Sequence, residues 1–499
     1  MRFLKFLVIV FFVVVIVTIP SRKDAFAGCL LDAYYKFDRW ATNFDPFGSA
    51  LRPLNEVPGL KVSGLLYNWT FINTHGDRQI SNVKKDWRFQ QIQWLGQIHT
   101  RYQLAPRVEL VTNFHFMYDG VYDWQHSSLY ADRINKDSEY SHTGEQIIRE
   151  FHLDMELGNW FLKLGKQQVV WGKMEGRWMD FINNLNGKDG SQIRAAFYRE
   201  LRIPIWMANA TYTFGKSSLQ FLWILDFEPE QSPLPGSPWW SPLRPNPELD
   251  PLYRGPTDEP GVSSKNQEWA MRYDTKLGRV TWSLGYMYGF SPTPTNFITQ
   301  DGGQFYYDSR YTRRHFIGSS VDFGYTITGV PAIKRIPLVY RAEVVYKTNQ
   351  YFRDSDKWDG VSSLIDRGVS DTDIISGAMQ FYLYFPKRIC GYYQPMISYY
   401  SGWKESLGVN RWSLGHLFFI MKTWESFEDR LITYYYTFLL TGGPRNKWGG
   451  MKNNFIVEWK FSDYMRMKLQ YIDYHGGDSD PYGQFDLWDN FGWELTYNF

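Results

Sequence analysis

Cysteine is nearly absent from this chain, with only Cys29 and Cys390 present. An oxidising compartment would let the two pair, but two cysteines make no disulfide framework. No C-x-x-C-H occurs, so the chain carries no c-type haem of its own. G-x-S-x-G and H-E-x-x-H are also missing, which removes the local signatures of a serine hydrolase or a zinc protease. The sequence thus implies no cofactor, no metal and no enzyme. Beyond residue 20 there is no apolar run long enough for a transmembrane helix. An excess of one charge is lacking too: 54 Lys and Arg face 52 Asp and Glu. Nucleic acid, which needs a basic surface, is excluded as a partner.

The N-terminus has the parts of an export signal. Arg2 and Lys5 precede an apolar run over 6–20 broken only by Thr18, and Ala25-Phe26-Ala27 supplies a cleavage site. A membrane anchor is the competing reading, but the run is shorter than the ~20 residues a spanning helix needs. Lipidation at Cys29 is a second, although Arg22, Lys23 and Asp24 separate it from the apolar run. Cleavage after Ala27 removes four basic residues and one acidic residue, leaving 50 against 51.

Aromatics are what the chain has in abundance: 22 Trp, 35 Tyr and 36 Phe, with a mean hydropathy of −0.41. At the C-terminus, Phe491, Trp493, Leu495, Tyr497 and Phe499 alternate with Gly492, Glu494, Thr496 and Asn498. Period-2 alternation marks a strand with one apolar and one polar face. In a membrane barrel the apolar face meets lipid and the polar face meets a wet interior. Phe499, a terminal aromatic, is the expected insertion signal for a bacterial barrel-assembly machinery.

Eighteen candidate strands recur, over 62–72, 90–103, 108–118, 146–157, 160–170, 202–214, 217–227, 265–276, 280–290, 312–325, 336–349, 371–385, 392–401, 410–422, 429–439, 451–462, 464–474 and 489–499. Sixteen is the alternative if 410–422 is not one. Connections after even strands are tight, as at Gly158-Asn159 and Gly215-Lys216. Those after odd strands are long, as at 73–89, 119–145, 171–201, 228–264, 291–311 and 475–488. Short periplasmic turns alternating with long outer loops fit an all-β, antiparallel, up-and-down transmembrane barrel in the bacterial outer membrane. The domain reading is a cleaved signal over 1–27, a periplasmic segment or plug over 28–60, and the barrel over 61–499. Outer-membrane lipid and lipopolysaccharide are then its surroundings.

Charged groups on a lipid face cost about 2–4 kcal/mol each near the midplane, so the polar faces point inward. The expected channel lining is His99, Arg101, Glu150, His152, Asp154, Lys163, Glu268, Arg272, Arg341, Glu343, Glu458, Lys460 and Arg466. Opposing charges there would sort permeants by charge and dipole. His152-x-Asp154-x-Glu156 offers three metal-ligating types on one face. They lie ~7 Å apart, wide for one ion, and a solvated wall is the plainer reading. Asp478, Asp480 and Asp486 lack the regular spacing of a calcium loop and read as an acidic outer loop.

Ten of the 24 prolines fall in 228–260, around Trp239-Trp240. Fixed φ and a missing N–H exclude a membrane strand there. A lid or constriction and a stiffened outer loop both fit. Gly165-Lys166-Gln167-Gln168-Val169-Val170-Trp171-Gly172 resembles the G-[RK]-Q-x-V-x-W-G strand end of an uncharacterised group of Gram-negative outer-membrane proteins, domain of unknown function 1302. Asn184, Asn186 and Asp189 resemble its Asn/Asp-rich turn, and Arg202-Ile203-Pro204 its next element. Lys173 and Gly187-Lys188 depart from the pattern. The resemblance implies a porin-like barrel, with neighbouring export systems hinting at hydrophobic or lipid-like cargo. Trp171 is expected in an interface girdle, with Gly165 and Gly172 as bend or close-packing positions. The function expected is passive passage or export of a small solute. The alternatives are a plugged scaffold serving a periplasmic lipid carrier or an electron-transfer partner and, more remotely, a barrel-embedded hydrolase.

Overall fold

Each strand pairs with its sequence neighbour, and the last pairs with the first. The computed structural model describes residues 36, 45–74, 87–124, 147–176, 178–187, 198–233, 250–255, 257, 259–330, 333–360, 364–425, 430–441, 448–477, 482–486 and 488–499. The signal segment, Cys29, Asp189, Trp239-Trp240, Asp478 and Asp480 lie outside them.

The first nine strands are β1 (Leu60–Asn73), β2 (Phe89–Ala105), β3 (Val108–Asp119), β4 (Ile148–Leu157), β5 (Trp160–Gln167), β6 (Ile205–Phe214), β7 (Ser217–Ile224), β8 (Glu268–Leu277) and β9 (Val280–Phe290). After a separate hairpin of β10 (Thr295–Asp301) and β11 (Gln304–Arg310) come β12 (Arg313–Val330), β13 (Ile333–Arg353), β14 (Val369–Phe385), β15 (Ile389–Ser401) and β16 (Trp412–Trp424). β17 (Leu431–Thr441), β18 (Trp448–Lys460), β19 (Met465–His475) and β20 (Asn490–Asn498) complete the wall. β9 pairs with β12, and β20 pairs antiparallel with β1, so eighteen strands form one closed sheet. Closure leaves no unpaired edge for lipid to meet.

The tight turns are where the backbone demands them. Gly158, Gly215 and Gly278 open two-residue turns at φ 63°, 56° and 61°. That region suits the primed turns whose twist matches paired strands. Two expectations need correction. Segment 291–311 is not an open loop: Asp301-Gly302-Gly303-Gln304 folds it into the β10–β11 hairpin, with both glycines at positive φ. Strand 160–170 ends at Gln167, because the chain turns inward there.

Opposed residues in an antiparallel pair share a face. One face can be followed through Glu109, Asp154, Lys163, Asn209, Leu222, Ala270, Met287, Phe316 and Lys347. It returns through Glu458, Lys468, Glu494, Trp69 and Gln93. This inner face holds buried polar groups, among them Gln97, Asn113, His152, Gln394 and Asn454. The opposite face exposes Trp94, Ile98, Phe116, Phe151, Trp206, Trp269, Val344, Ile397 and Phe418 to the surroundings. That is the apolar band of a transmembrane barrel.

Ahead of β1, Asp45 caps a helix over Pro46–Asn55 by accepting from the Gly48 N–H at 3.0 Å. Asn55 then holds both backbone groups of Val62. Tyr497 donates to Asp45 at 2.7 Å, and Phe47 packs against the Tyr497 and Phe499 rings. The helix thus clasps the outward side of the β1–β20 seam, where Phe499 and Gly64 exchange backbone hydrogen bonds.

Candidate functional site

The segment 168–187 leaves the wall at the end of β5 and lies inside the barrel. Gly165 prepares the departure. Its φ is +133°, and a Cβ there would sit 2.8 Å from the His152 Cα and closer still to the Phe151 carbonyl. Two residues on, the buried Gln167 amide donates to the carbonyls of Lys163 and Met207, which fixes the strand end. Asn183 then accepts from the Val169 N–H at 2.7 Å and donates to the Ile203 carbonyl at 2.8 Å. These bonds tie both limbs of the segment together.

Apolar side chains of the segment pack on the inner wall. Val169, Trp171, Met179 and Ile182 are buried with Ile205, Met207, Leu222, Ile224, Ala270, Met287, Phe316 and Val345. Gly285 and Gly318 give them room: a Cβ at Gly285 would meet the Trp171 ring at 2.9 Å, and one at Gly318 would meet Met179 at 3.1 Å. Trp171 is therefore an interior anchor and not a girdle residue. Its indole N–H donates to Gln220 at 2.8 Å, and Arg272 donates to its carbonyl at 2.9 Å. Gln220 bonds Asn209, which bonds Gln167, so a polar chain runs beneath the ring.

Charges of the wall complete the hold. Glu343, 3% exposed, accepts the N–H of Lys173 at 2.6 Å and that of Met179 at 3.1 Å. Lys173 in turn pairs with Asp322. Asp180 accepts from Arg202 at 2.7 Å, and the Arg202 carbonyl is bound by Arg149. Gly172 lies against Asp180, with space for a Cβ only at 3.1 Å. The tip reaches the far wall: Met174 is buried with Ala378, Met396 and Leu417, and Gln394 donates to the Glu175 carbonyl at 2.8 Å. Contacts from β5 round to β16 make the segment a constriction of the interior. Burial pushes the Glu175 carboxyl up to about 7, against the opposing pull of Arg341.

A cavity of about 290 Å³ lies between this segment and the walls of β6, β8, β9 and β12. Asp180, Phe181, Ile182, Phe227, Glu228, Glu230, Glu268, Met287, Phe290, Phe316 and Lys347 line it. The first turn of the proline-rich loop closes it, since the Gly187 N–H donates to Gln231, Asn184 to the Glu228 carbonyl, and Glu230 to Pro292. Farther along, Leu252 and Asp250 bind Tyr307 of the β10–β11 hairpin. A second apolar patch lies elsewhere on the inner wall. There Tyr67, Trp69, Phe71, Leu95, Met117, Ile472 and Tyr474 are covered by Tyr482, Phe485 and Trp488 of the long connection between β19 and β20.

All thirteen polar residues singled out from the sequence fall on the inward face by register, but they do different things. Glu268, Arg272 and Glu343 hold segments: Glu268 accepts from the Phe290 N–H, and Arg272 also grips Asp274. His99, Arg101, Glu150, His152, Asp154 and Lys163 face inward from β2–β5, with His152 bonded to Asp154 at 2.8 Å and Arg101 3.5 Å from Glu109. Arg341 donates to Gln380 on β14, while Glu458, Lys460 and Arg466 stand on β18 and β19. Among the described residues, no group of three or more His, Cys, Asp or Glu is placed to hold a metal. Cys390 is a buried free thiol beside Tyr382. Of the family-motif residues, Gly165, Gln167, Trp171, Gly172 and Arg202 converge on this constriction. Asn186 bridges to Gln231 and Pro204 leads into β6. Glu175, Asp180 and Asn183 lie on the inward segment and have no signal in alternation. Asp180 does stand inside the apolar run Trp178-Met179-Asp180-Phe181-Ile182, which is out of character for an exposed loop.

A closed eighteen-strand barrel narrowed by an inward segment is the architecture of a porin-like outer-membrane protein. The chain belongs to the family described as Protein of unknown function (DUF1302), whose pattern matches residues 71–406. Among solved structures it is similar to OccAB1 of Acinetobacter baumannii, at 9% identity and a TM-score of 0.50, covering 89% of this chain and 96% of that one. The outer membrane protein opdK of Pseudomonas aeruginosa also aligns, at 9% identity and 0.48, over 88% and 98%. These likenesses concern the fold. Curated protein sequences gave no match.

Proposed function

We propose that the protein is a channel of the bacterial outer membrane through which a small solute diffuses passively past segment 168–187. The observation that supports this most is the cross-barrel anchoring of that segment by Glu343, Arg272 and Arg202. A protein that needed only a stable shell has no use for buried charges holding a loop across its interior, since such groups are costly to desolvate. Wall positions away from the segment, including His99, Arg101, Glu150, Asp154, Lys163, Glu458, Lys460 and Arg466, are assigned to the pore lining.

The test is ion conductance of the full chain in planar bilayers. Discrete single-channel steps that grow on removing residues 172–182 support the reading. A barrel that stays silent with and without those residues would favour the plugged scaffold, as would a stoichiometric periplasmic partner recovered with it. The covered apolar patch around Trp69 and Trp488 is the observation on that side.

A further inference from the structure

The seam of the barrel is uneven at its short-turn end. Phe499, the last residue of the chain, exchanges backbone hydrogen bonds with Gly64 at 2.7 and 3.0 Å, whereas β1 runs on to Leu60. Strand alternation turns the backbone groups of Leu60 and Val62 to the same side as those of Gly64, where no strand is left to meet them. The segment just upstream meets them instead. The Asn55 side chain accepts from the Val62 N–H at 2.6 Å and donates to the Val62 carbonyl at 3.1 Å. The Val57 carbonyl accepts from the Leu60 N–H at 3.0 Å. Asn55 thus stands in for the backbone of an absent strand. Water would satisfy such an edge by itself, but hydrocarbon cannot.

The outward side at this point is unusual too. Tyr497 and Phe499 lie on the same face as Gly64 and Ile98, the face turned to lipid. Tyr497 is nevertheless 5% exposed, because the helix over Pro46–Asn55 covers it. A Cβ on Gly64 would run into the Phe499 ring, and Phe47 packs on that ring at 5.3 Å between centroids. The helix itself remains uncovered by protein. Phe47 and Leu54, about two turns apart on one line of the helix, are nearly half exposed, as is Val57 beyond its end. Arg52 stands off that line and is exposed.

We infer that residues 45–57 form a lipid-embedded latch, with the helix lying outside the barrel in the membrane leaflet at the short-turn end, Phe47, Leu54 and Val57 against acyl chains, and Asn55 sealing the open edge of β1. Lipid is the occupant of the exposed apolar row because that row continues the outward band. Ile98, Tyr102 and Leu104 of the adjoining β2 face the same surroundings and are exposed. A helix of this kind rests with its apolar side at the boundary of headgroups and acyl chains and its polar side in water.

The test does not depend on conduction. The full chain is placed in vesicles of phosphatidylethanolamine and phosphatidylglycerol that carry a phospholipid with a diazirine in its acyl chain, irradiated, and mapped by mass spectrometry. Adducts on Phe47, Leu54 or Val57 should reach within about threefold of those on Ile98 and Tyr102. Leu54→Glu should lower the yield on 45–57 severalfold and leave that on β2 unchanged. In a second measurement, Asn55→Leu should speed amide exchange of Val62 and Gly64 at least tenfold, with no change over 148–157. Adducts on the outward strands and none on 45–57, in protein that migrates as a folded barrel, overturn the proposal. So does a dimer in the same vesicles whose cross-links join 45–57 of one copy to the other, since the row is then a protein interface. Unaltered Val62 exchange in a folded Asn55→Leu barrel overturns the seal.

Discussion

Glu343 is where the constriction can be released with one side chain. Its two oxygens accept the N–H groups of Lys173 and Met179, one on each limb of the inward segment. A hydrogen bond to a charged group contributes roughly 1.5–3 kcal/mol. Glu343→Ala removes two, for roughly 3–6 kcal/mol before any water enters. At 1.4 kcal/mol per factor of ten, the detached form of the tip becomes about 10²–10⁴ times more populated. The barrel itself should survive, because Trp171 and Met179 still pack on the wall and the strand ladder is untouched. Two assays follow: single-channel recording, in which the variant should show a larger or flickering conductance, and trypsin cleavage after Lys173, which should speed up at least tenfold. Glu343→Gln keeps one acceptor oxygen and should fall between. A folded Glu343→Ala protein with the cleavage rate and current levels of the unmodified chain would refute this account of what holds the segment.

Other consequences can be checked in parallel. Arg202→Met leaves Asp180 buried without its partner, a loss of roughly 3–5 kcal/mol; it should loosen the segment as seen by hydrogen exchange at 178–185. Gly285→Val drives a side chain into the Trp171 ring and should displace the segment toward the lumen centre, changing conductance without unfolding the barrel on a gel-shift assay. Gly165→Ala forces a strained φ and a backbone clash with β4, costing roughly 1–3 kcal/mol, and should lower the melting temperature followed by circular dichroism. Glu175 has a carboxyl raised to about 7 from the usual 4.5. Between those two pH values the unfolded chain has lost this proton and the folded chain keeps it. Stability from this group therefore falls as pH rises from about 4.5 and levels off above about 7. Over the same rise through 7 the constriction gains a negative charge, so cation preference measured by reversal potential should increase, and Glu175→Gln should abolish the change.

Alternation made the wall readable because lipid enforces it. A charge facing hydrocarbon costs enough to settle which side of 146–157 points inward, and Phe151 and His152 do face opposite ways in the fold. The closing strand was equally plain, since Phe491 to Phe499 keep one apolar period to the end. Trp171 shows where this logic stops. A tryptophan at a strand end reads as a girdle residue by period alone, yet the strand stops at Gln167 and the indole is 1% exposed inside. Segments that fold into the lumen obey no fixed period, because their partners come from many strands at once. Two local signals remained available: an apolar run with one acid at 178–182, and a hairpin turn at Asp301-Gly302-Gly303. Glu343 could be placed on the inner face from sequence, but its two N–H donors are more than 160 residues away in the chain.

The division of labour among the inward charges has a consequence for selectivity. Glu268, Arg272 and Glu343 are committed to the inward segment and the strand ends, so they contribute little free field to a passing solute. Several wall charges have opposite-sign neighbours: Asp154 with Lys163, Lys468 with Glu494 at 2.6 Å, Arg101 with Glu109. Paired charges a few ångströms apart present a dipole whose field falls off faster than that of a single charge. The constriction carries Glu175, and the cavity beside it is lined by Glu228 and Glu230 of the proline-rich loop. If charge selectivity is read there, neutralising Asp154 and Lys163 together should leave the reversal potential almost unchanged, whereas neutralising Glu228 and Glu230 should reduce cation preference. A reversal potential that instead followed the Asp154–Lys163 pair would move the selective field toward the short-turn end of the barrel and leave the constriction as a steric gate alone.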